Sequence, residues 1–288
     1  MLSSDIIKKI KKIELYTKRL LRGSLAGNYN SIYKGSGFEF DKIREYQSGD
    51  DVRFIDWNSS SKSNSLLVKQ YIEERSRTII IAVDVSASGF FSSTAASKYD
   101  VIAQVAAIFA LVASFSKDSV SLVLFSDEIE FVVPAKSGPA HIHYIMQKLF
   151  EYKAKKKLTN IASVFKYLAK LRKKDAMVIL LSDFIDNQSY DKYMSVVSKI
   201  YDLIVIRCLD KNENTLPNVG LLSIKDFETG NLIVIDTSQQ KSIDDFLLRR
   251  KEKQSLLFKK YGIDCLDFNT SDPFIDDIVL FFRKRMMR

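Results

Sequence analysis

Four short apolar runs constrain this chain more than any other feature: "TIIIAVDV" from 78, "SVSLVLF" from 119, "AMVILLS" from 176 and "YDLIVIRCL" from 201. Each is rich in β-branched residues and apolar along most of its length, the pattern of a strand buried on both faces. The segments between them read differently. "SKYDVIAQVAAIFALVASF", "HIHYIMQKLFEY", "IASVFKYLAKLRK" and "SYDKYMSVVSKI" carry apolar residues at helical spacing. Apolar strands alternating with amphipathic helices predict a doubly wound α/β fold, a mainly parallel sheet covered on both sides. A tight turn at Asp127 and Glu128 leads from "SVSLVLF" into "IEFVVP" and adds one antiparallel strand. A further strand "NLIVIDT", a long helix "SIDDFLLRRKEKQSLLFKKY", a short strand "IDCLDF" and a closing helix "PFIDDIVLFFRKR" complete the pattern.

The first 77 residues follow another rule. From about Asp5 to Arg22, Ile6, Ile10, Ile13, Leu20 and Leu21 recur near helical spacing among lysines, predicting an amphipathic helix. Such a basic helix can lie on an anionic membrane or pack its apolar face on its own domain; packing is the preferred reading. From Gly23 to Asn64 the chain is polar, aromatic and loop-rich, and holds the only tryptophan, Trp57. Around it Arg44, Asp50, Asp51, Arg53 and Asp56 alternate in sign. They can form a partner-docking surface or, the preferred reading, a charge-paired, Trp-anchored lobe that braces the main domain. The expected division is an N-terminal helix and small lobe over 1–77, then the α/β domain with its C-terminal helices over 78–288.

Composition narrows the setting. No apolar run approaches the roughly 20 residues that span a bilayer, so no transmembrane segment is expected. The scattered charges of "MLSSDIIKKIKKIELYTKRL" do not make a secretory signal. Cys208 and Cys265 lie far apart in apolar surroundings and read as a reduced pair, which together point to a cytoplasmic address. Forty-four lysines and arginines against 35 acids give a net charge of +9, which can attract nucleic acid, anionic lipid or an acidic protein without choosing among them.

The chemistry gathers at two strand ends. "TIIIAVDVSAS" finishes with Asp84, Ser86 and Ser88 at every second position, and "LLSDFID" puts Asp183 at the end of a later buried strand. Doubly wound sheets bind ligands outside the carboxyl ends of their strands, where strand order reverses, so both acids can meet in one crevice. A buried strand does not finish on an unpaired carboxylate unless something uses its charge. The donors are all oxygen, with no imidazole or thiolate, which suits a hard divalent cation such as Mg²⁺, or alternatively Mn²⁺ or Ca²⁺. Thr159 in "KKKLTNIASVF" can add a further oxygen, or serve only to start a helix. Lys153, Lys155, Lys156 and Lys157 are expected beside the crevice, either steering an acidic partner or simply solvated.

This D-x-S-x-S pattern, with a later Thr and Asp, resembles the von Willebrand factor A domain, a Rossmann-type fold, and its metal-ion-dependent adhesion site. The resemblance implies that Ser86 and Ser88 bind Mg²⁺ directly, Thr159 directly or through water, and Asp84 and Asp183 mainly through water. In that family a carboxylate of a partner protein often fills the remaining coordination position. Two departures stand out: the glycines that usually precede the Thr are missing, and Phe184 follows Asp183 where many A domains carry Gly. A narrower resemblance covers nearly the whole chain. "GSGFEFDKIREYQSGDDVRFIDWNSSSKSNSLLVKQYIEE", "VDVSAS", "LLSDFID", "CLDKNENTLP" and "LLSIKDFETG" are similar to the bacterial domain-of-unknown-function family fifty-eight, Phe after Asp included. Members of that family are commonly encoded beside MoxR-type AAA+ ATPases, which implies an adaptor or substrate-binding partner in chaperone-like assembly.

Other motifs are weaker. "GSGFEF" lacks the third glycine of a dinucleotide-binding turn, and no G-x-x-x-x-G-K-[ST] is present. His141 and His143, the only histidines, stand two apart without a nearby third ligand, which argues against zinc. No G-x-S-x-G elbow occurs, and Ser86 replaces the second acid of a D-x-D-x-T phosphotransferase. The expectation is therefore a non-enzymatic interaction module that holds a divalent metal and captures a protein carboxylate. The alternatives are a metal-dependent phosphate-ester hydrolase, which needs a base or second metal, and a nucleic-acid binder, which is not expected.

Overall fold

The computed structural model describes residues 10, 11, 13–15, 17, 37–63, 65–74, 77–90, 97–186, 188–210, 219–225, 227–271 and 274–286. Among the described residues the strands, in chain order, are β1 (Gly37–Glu45), β2 (Leu67–Glu74), β3 (Thr78–Asp84), β4 (Ser119–Phe125), β5 (Ile129–Lys136), β6 (Ala176–Ser182), β7 (Asp202–Leu209), β8 (Leu221–Lys225), β9 (Leu232–Asp236) and β10 (Asp264–Asn269). The longer helices are α1 (Lys98–Phe115), α2 (Pro139–Glu151), α3 (Ile161–Leu171), α4 (Asp191–Ile200), α5 (Gln240–Lys260) and α6 (Phe274–Met286).

Six strands form the central sheet in the order β10-β7-β6-β3-β4-β5. All neighbours are parallel except β4 and β5, so the fold is the doubly wound α/β expected from the apolar runs. Strand β3 shows why these runs are apolar throughout. Ile79, Ile81 and Val83 pack with buried residues of α1, α2 and α6, while Ile80 and Ala82 pack on the opposite face with α3, α4 and Phe258 of α5. Each such buried Ile or Leu contributes roughly 1.5–3 kcal/mol over leaving it exposed. From β3 the chain crosses to β4 on one side and later returns to β6 on the other, so strand order reverses at the carboxyl end of β3.

Helix α1 starts from a capping box in which the Ser97 hydroxyl accepts from Asp100 N and the Asp100 carboxylate accepts from Ser97 N. It also amends one expectation. With 18 residues and a mean hydropathy of 1.5 it is, by length and composition, long and apolar enough to cross a membrane, yet 72% of that window is buried inside the protein. Its apolar surface lies against the sheet.

Outside the central sheet the sequence reading needs correction in three places. First, the stretch expected to be loop-rich contains β1, which pairs antiparallel with β2 across an irregularity between Phe40 and Lys42. Its charges interrupt the apolar alternation that marks a strand, so the pattern hides it. Second, Trp57 is not a buried anchor: it is 68% exposed, at the start of a single helical turn, Trp57–Ser60, capped by the Asp56 carboxylate. The charge pairing does occur, with Arg44 gripping Asp50 through two 2.7 Å hydrogen bonds, Arg53 paired to Asp51, and Lys69 at 3.4 Å from Asp56. Third, "NLIVIDT" is a strand as expected, β9, but among the described residues it pairs with β8 in a separate hairpin, outside the central sheet, whose Leu221, Leu232, Ile233 and Val234 are exposed. At the N-terminus, helical Ile10 and Ile13 are buried in the main core, and the Thr17 hydroxyl donates to Ile13 O. The proposed ends of that helix, Asp5 and Arg22, lie outside the described residues, as do parts of the family-like stretches "GSGFEF" and "CLDKNENTLP".

Candidate functional site

Strands β3 and β6 are parallel neighbours, with Val83 paired to Leu181, and so deliver their carboxyl ends side by side. Asp84 and Ser182 finish these strands, and the Ser182 hydroxyl donates to Asp84 Oδ2 at 2.7 Å. Asp84 Oδ1 accepts from Ser86 N at 2.9 Å, which turns the chain so that Ser86 Oγ and Ser88 Oγ stand 3.0 Å apart. Asp183 follows β6; its Oδ1 accepts from Ile185 N and its Oδ2 from Lys98 Nζ at 2.7 Å. Asp84, Ser86, Asp183 and Lys98 are all buried. Placed together out of water, the two acids repel: burial and then the charge of Asp183 push Asp84 up to about 7.

Thr159 arrives from the other side of the crevice, and hydrogen bonds between loops hold it there. Ala87 N donates to Lys157 O, Asn160 N to Ser126 O, and Ile161 N to the Asp186 carboxylate. Asn160 caps α3, accepting from Ser163 N. Residues 153–158 therefore run along the rim, with Lys153, Lys155, Lys156 and Lys157 exposed. The backbone amides of Lys155 and Lys156 donate to Glu130, so this basic strip is fixed by its main chain, and Lys156 Nζ lies 3.9 Å from Glu128.

Phe184 explains how the loop works without glycine. Its φ is +57°, a left-handed conformation that costs a non-glycine residue roughly 1–2 kcal/mol. Its ring is fully buried, edge-on to Phe258 at 5.3 Å and to Tyr190 at 6.1 Å. Phe184 N donates to Ser182 Oγ, and Phe184 O accepts from Gln254 Nε2 of α5 at 2.7 Å. Aromatic burial thus holds a backbone turn that glycine would adopt freely. Gln254 also accepts from Arg207 Nη1, and Arg207 grips Asp267 through Nε and Nη2 at 2.8 and 2.9 Å. Helix α5 is in this way tied to β7, β10 and the Asp183 loop.

Three residues here escaped the sequence reading. Ser182 bridges the two strand ends. Lys98 looked like one more charge at the start of an apolar helix, yet its fully buried ammonium pairs with Asp183. Glu228, in the turn between β8 and β9, accepts from Thr159 Oγ1 at 2.6 Å and from Thr159 N at 3.2 Å, with the Ser88 side chain nearby. Its segment stood among the family-like stretches, but nothing local tied that glutamate to Thr159. The two histidines serve elsewhere: His141 Nε2 bonds Val120 O, and His143 Nε2 lies 3.2 Å from Glu14.

The donor set can be tested for a dication. Among the described residues no three His, Cys, Asp or Glu side chains form a metal-holding group, so any ion here depends on hydroxyl oxygens. Asp84, Asp183 and Glu228 bring three carboxylates to one crevice, and Lys98 pairs with one of them. Burial foremost, and the charge of Asp183 after it, raises Glu228 as well as Asp84, because an anion is costly where it is withdrawn from water. A hard dication would relieve that cost, and Ser86, Ser88 and Thr159 are suitable oxygen donors beside it. The residues fit Mg²⁺.

Residues 42–255, from β1 into α5, match the family described as "Protein of unknown function DUF58". An uncharacterized protein of Mycobacterium bovis is 24% identical over 282 residues, 96% of this chain and 88% of its own length. An uncharacterized protein of Mycobacterium tuberculosis matches to the same extent. Among solved structures, conserved hypothetical protein BatB from Bacteroides thetaiotaomicron is similar with a TM-score of 0.51 and 15% identity, over 74% of this chain and 100% of that one. That likeness is one of fold. An aerotolerance-related membrane protein from Bacteroides fragilis gives a TM-score of 0.49 at 16% identity, over 72% of this chain and 99% of that one.

Proposed function

This chain belongs to the DUF58 family, and we propose that it is a non-enzymatic interaction module of the metal-ion-dependent adhesion type, whose β3–β6 crevice captures a protein carboxylate. The observation that carries the reading is the meeting of Asp84, Asp183 and paired serine hydroxyls at the switch point of the sheet, with Asp84 pushed up to about 7. Ser86, Ser88 and Thr159 would hold Mg²⁺, with Asp84 and Asp183 supplying compensating charge. Once bound, the ion would offer a carboxylate its remaining coordination position. The chain's own residues do the rest: Ser182 and Ser86 N orient Asp84, Ile185 N and Lys98 orient Asp183, and the exposed lysines of 153–157 steer acidic partners.

The proposed partner is a MoxR-type AAA+ ATPase, as the family resemblance implies, and the proposed place is the cytoplasm, where such an ATPase finds its ATP. The burial of α1 and two free cysteines support that address. The test is affinity purification with and without Mg²⁺, comparing the protein with Asp84→Ala. Recovery of an AAA+ ATPase only with Mg²⁺ and only by the unaltered protein supports the proposal. Equal recovery by the variant contradicts it.

A further inference from the structure

The crevice proposed to receive a partner's carboxylate already has one in reach. We infer that Glu228 is an intramolecular carboxylate ligand of this site, carried on the β8–β9 hairpin, and that an outside carboxylate binds by displacing it. The inference rests on the divalent-cation reading above and adds to it the identity of the competing ligand.

Glu228 does not sit there through ordinary packing. It lies 69 residues from Thr159 in sequence, yet both its oxygens face that residue, one taking the hydroxyl proton at 2.6 Å and the other the amide at 3.2 Å. The Ser88 side chain neighbours the same carboxylate, so Glu228 faces two of the three hydroxyl residues assigned to the ion. A half-buried carboxylate beside Asp183 places two negative charges close together with little water between them. Such a placement makes sense for a group that faces a cation when one is bound. The segment carrying it is a small hairpin outside the central sheet. Its strands are five residues each and, among the described residues, pair with one another, and Leu221, Leu232, Ile233 and Val234 stay exposed. An isolated two-stranded hairpin is marginal by itself. Its tip reaches the crevice through the two hydrogen bonds of Thr159 to Glu228, which an incoming carboxylate can replace one for one.

Calorimetric titration with Mg²⁺ tests this in chloride buffer and again with acetate added, on the full chain and on Glu228→Ala. The expected result is about tenfold weaker Mg²⁺ binding by Glu228→Ala in chloride, restored toward the unaltered affinity by acetate entering the vacated space. The unaltered protein should respond little to acetate, and Mg²⁺ should slow amide exchange over residues 221–236 in it but not in the variant. Mg²⁺ affinity that is equal in the two proteins, with or without acetate, overturns the inference while leaving the metal site standing. Weakening that acetate does not repair reduces Glu228 to a distant charge and also overturns it. Absence of Mg²⁺ binding by the unaltered protein removes the metal site and this inference together.

Discussion

Lys98 is the residue on which the electrostatics of the crevice turn. Its stem is buried at the start of α1 and its ammonium meets Asp183 at 2.7 Å, 85 positions away in sequence. Removing one partner of a buried ion pair leaves the other charge uncompensated, at a cost of about 3–5 kcal/mol. Lys98→Met should therefore lower the unfolding free energy by that amount in urea titration. Added Mg²⁺ should stabilise the variant more than the unaltered protein, because a dication takes over the lost compensation. Denaturation curves that coincide would mean the pair carries little. At this scale the sequence is informative only where chemistry is local. Asp84, Ser86 and Ser88 declare themselves by spacing at the end of an apolar strand, and Asp183 does so likewise. Lys98, Ser182 and Glu228 acquire their roles from contacts 85, 98 and 69 residues distant, which no local pattern encodes.

Among the elements, the strands easiest to read are those buried on both faces. In β3, β4, β6 and β7 nearly every side chain is withdrawn from water, so each appears as a continuous apolar run. The hairpin strands are the reverse. In β1 the run "GFEFDKIRE" breaks its alternation where the pairing shifts at Phe40 and Lys42, and reads as loop. Strand β9 is apolar enough to look like core, but among the described residues it pairs with β8, outside the central sheet. The junction of α1 with β4 offers a test of how these elements are joined. There the Asp118 carboxylate accepts from Arg77 N at 2.9 Å, fastening the starts of β3 and β4, while its other oxygen is buried without a hydrogen-bond partner among the described residues. Burial pushes this carboxyl up to about 6. A carboxyl raised on folding is held more tightly in its protonated form, so its contribution to stability falls as pH rises from about 4 to about 6. Asp118→Asn lacks that loss. Relative to the unaltered protein, it should gain about 2–3 kcal/mol in unfolding free energy between pH 4 and pH 7. A difference between the two that does not vary with pH would show that the buried oxygen is solvated after all.

For the whole molecule, the topology does what the individual residues cannot. Because the chain winds outward from β3 in both directions, the ends of β3 and β6 and the loops after β4 and α2 converge on one crevice. The N-terminal helical residues Ile10 and Ile13 pack into the same core, and α5 ties the far side of the sheet to the Asp183 loop through Gln254 and Arg207. The net charge of +9 has a local expression at the rim, where exposed lysines border buried acids. That arrangement favours an acidic protein approaching a cation held by the crevice. The most direct measurement is a calorimetric titration of Mg²⁺ into the protein, Asp84→Ala and Ser86→Ala, each first shown by circular dichroism to be folded. A saturable heat in the unaltered protein that both substitutions abolish is the predicted result. The same heat in all three proteins would contradict a metal site at the end of β3.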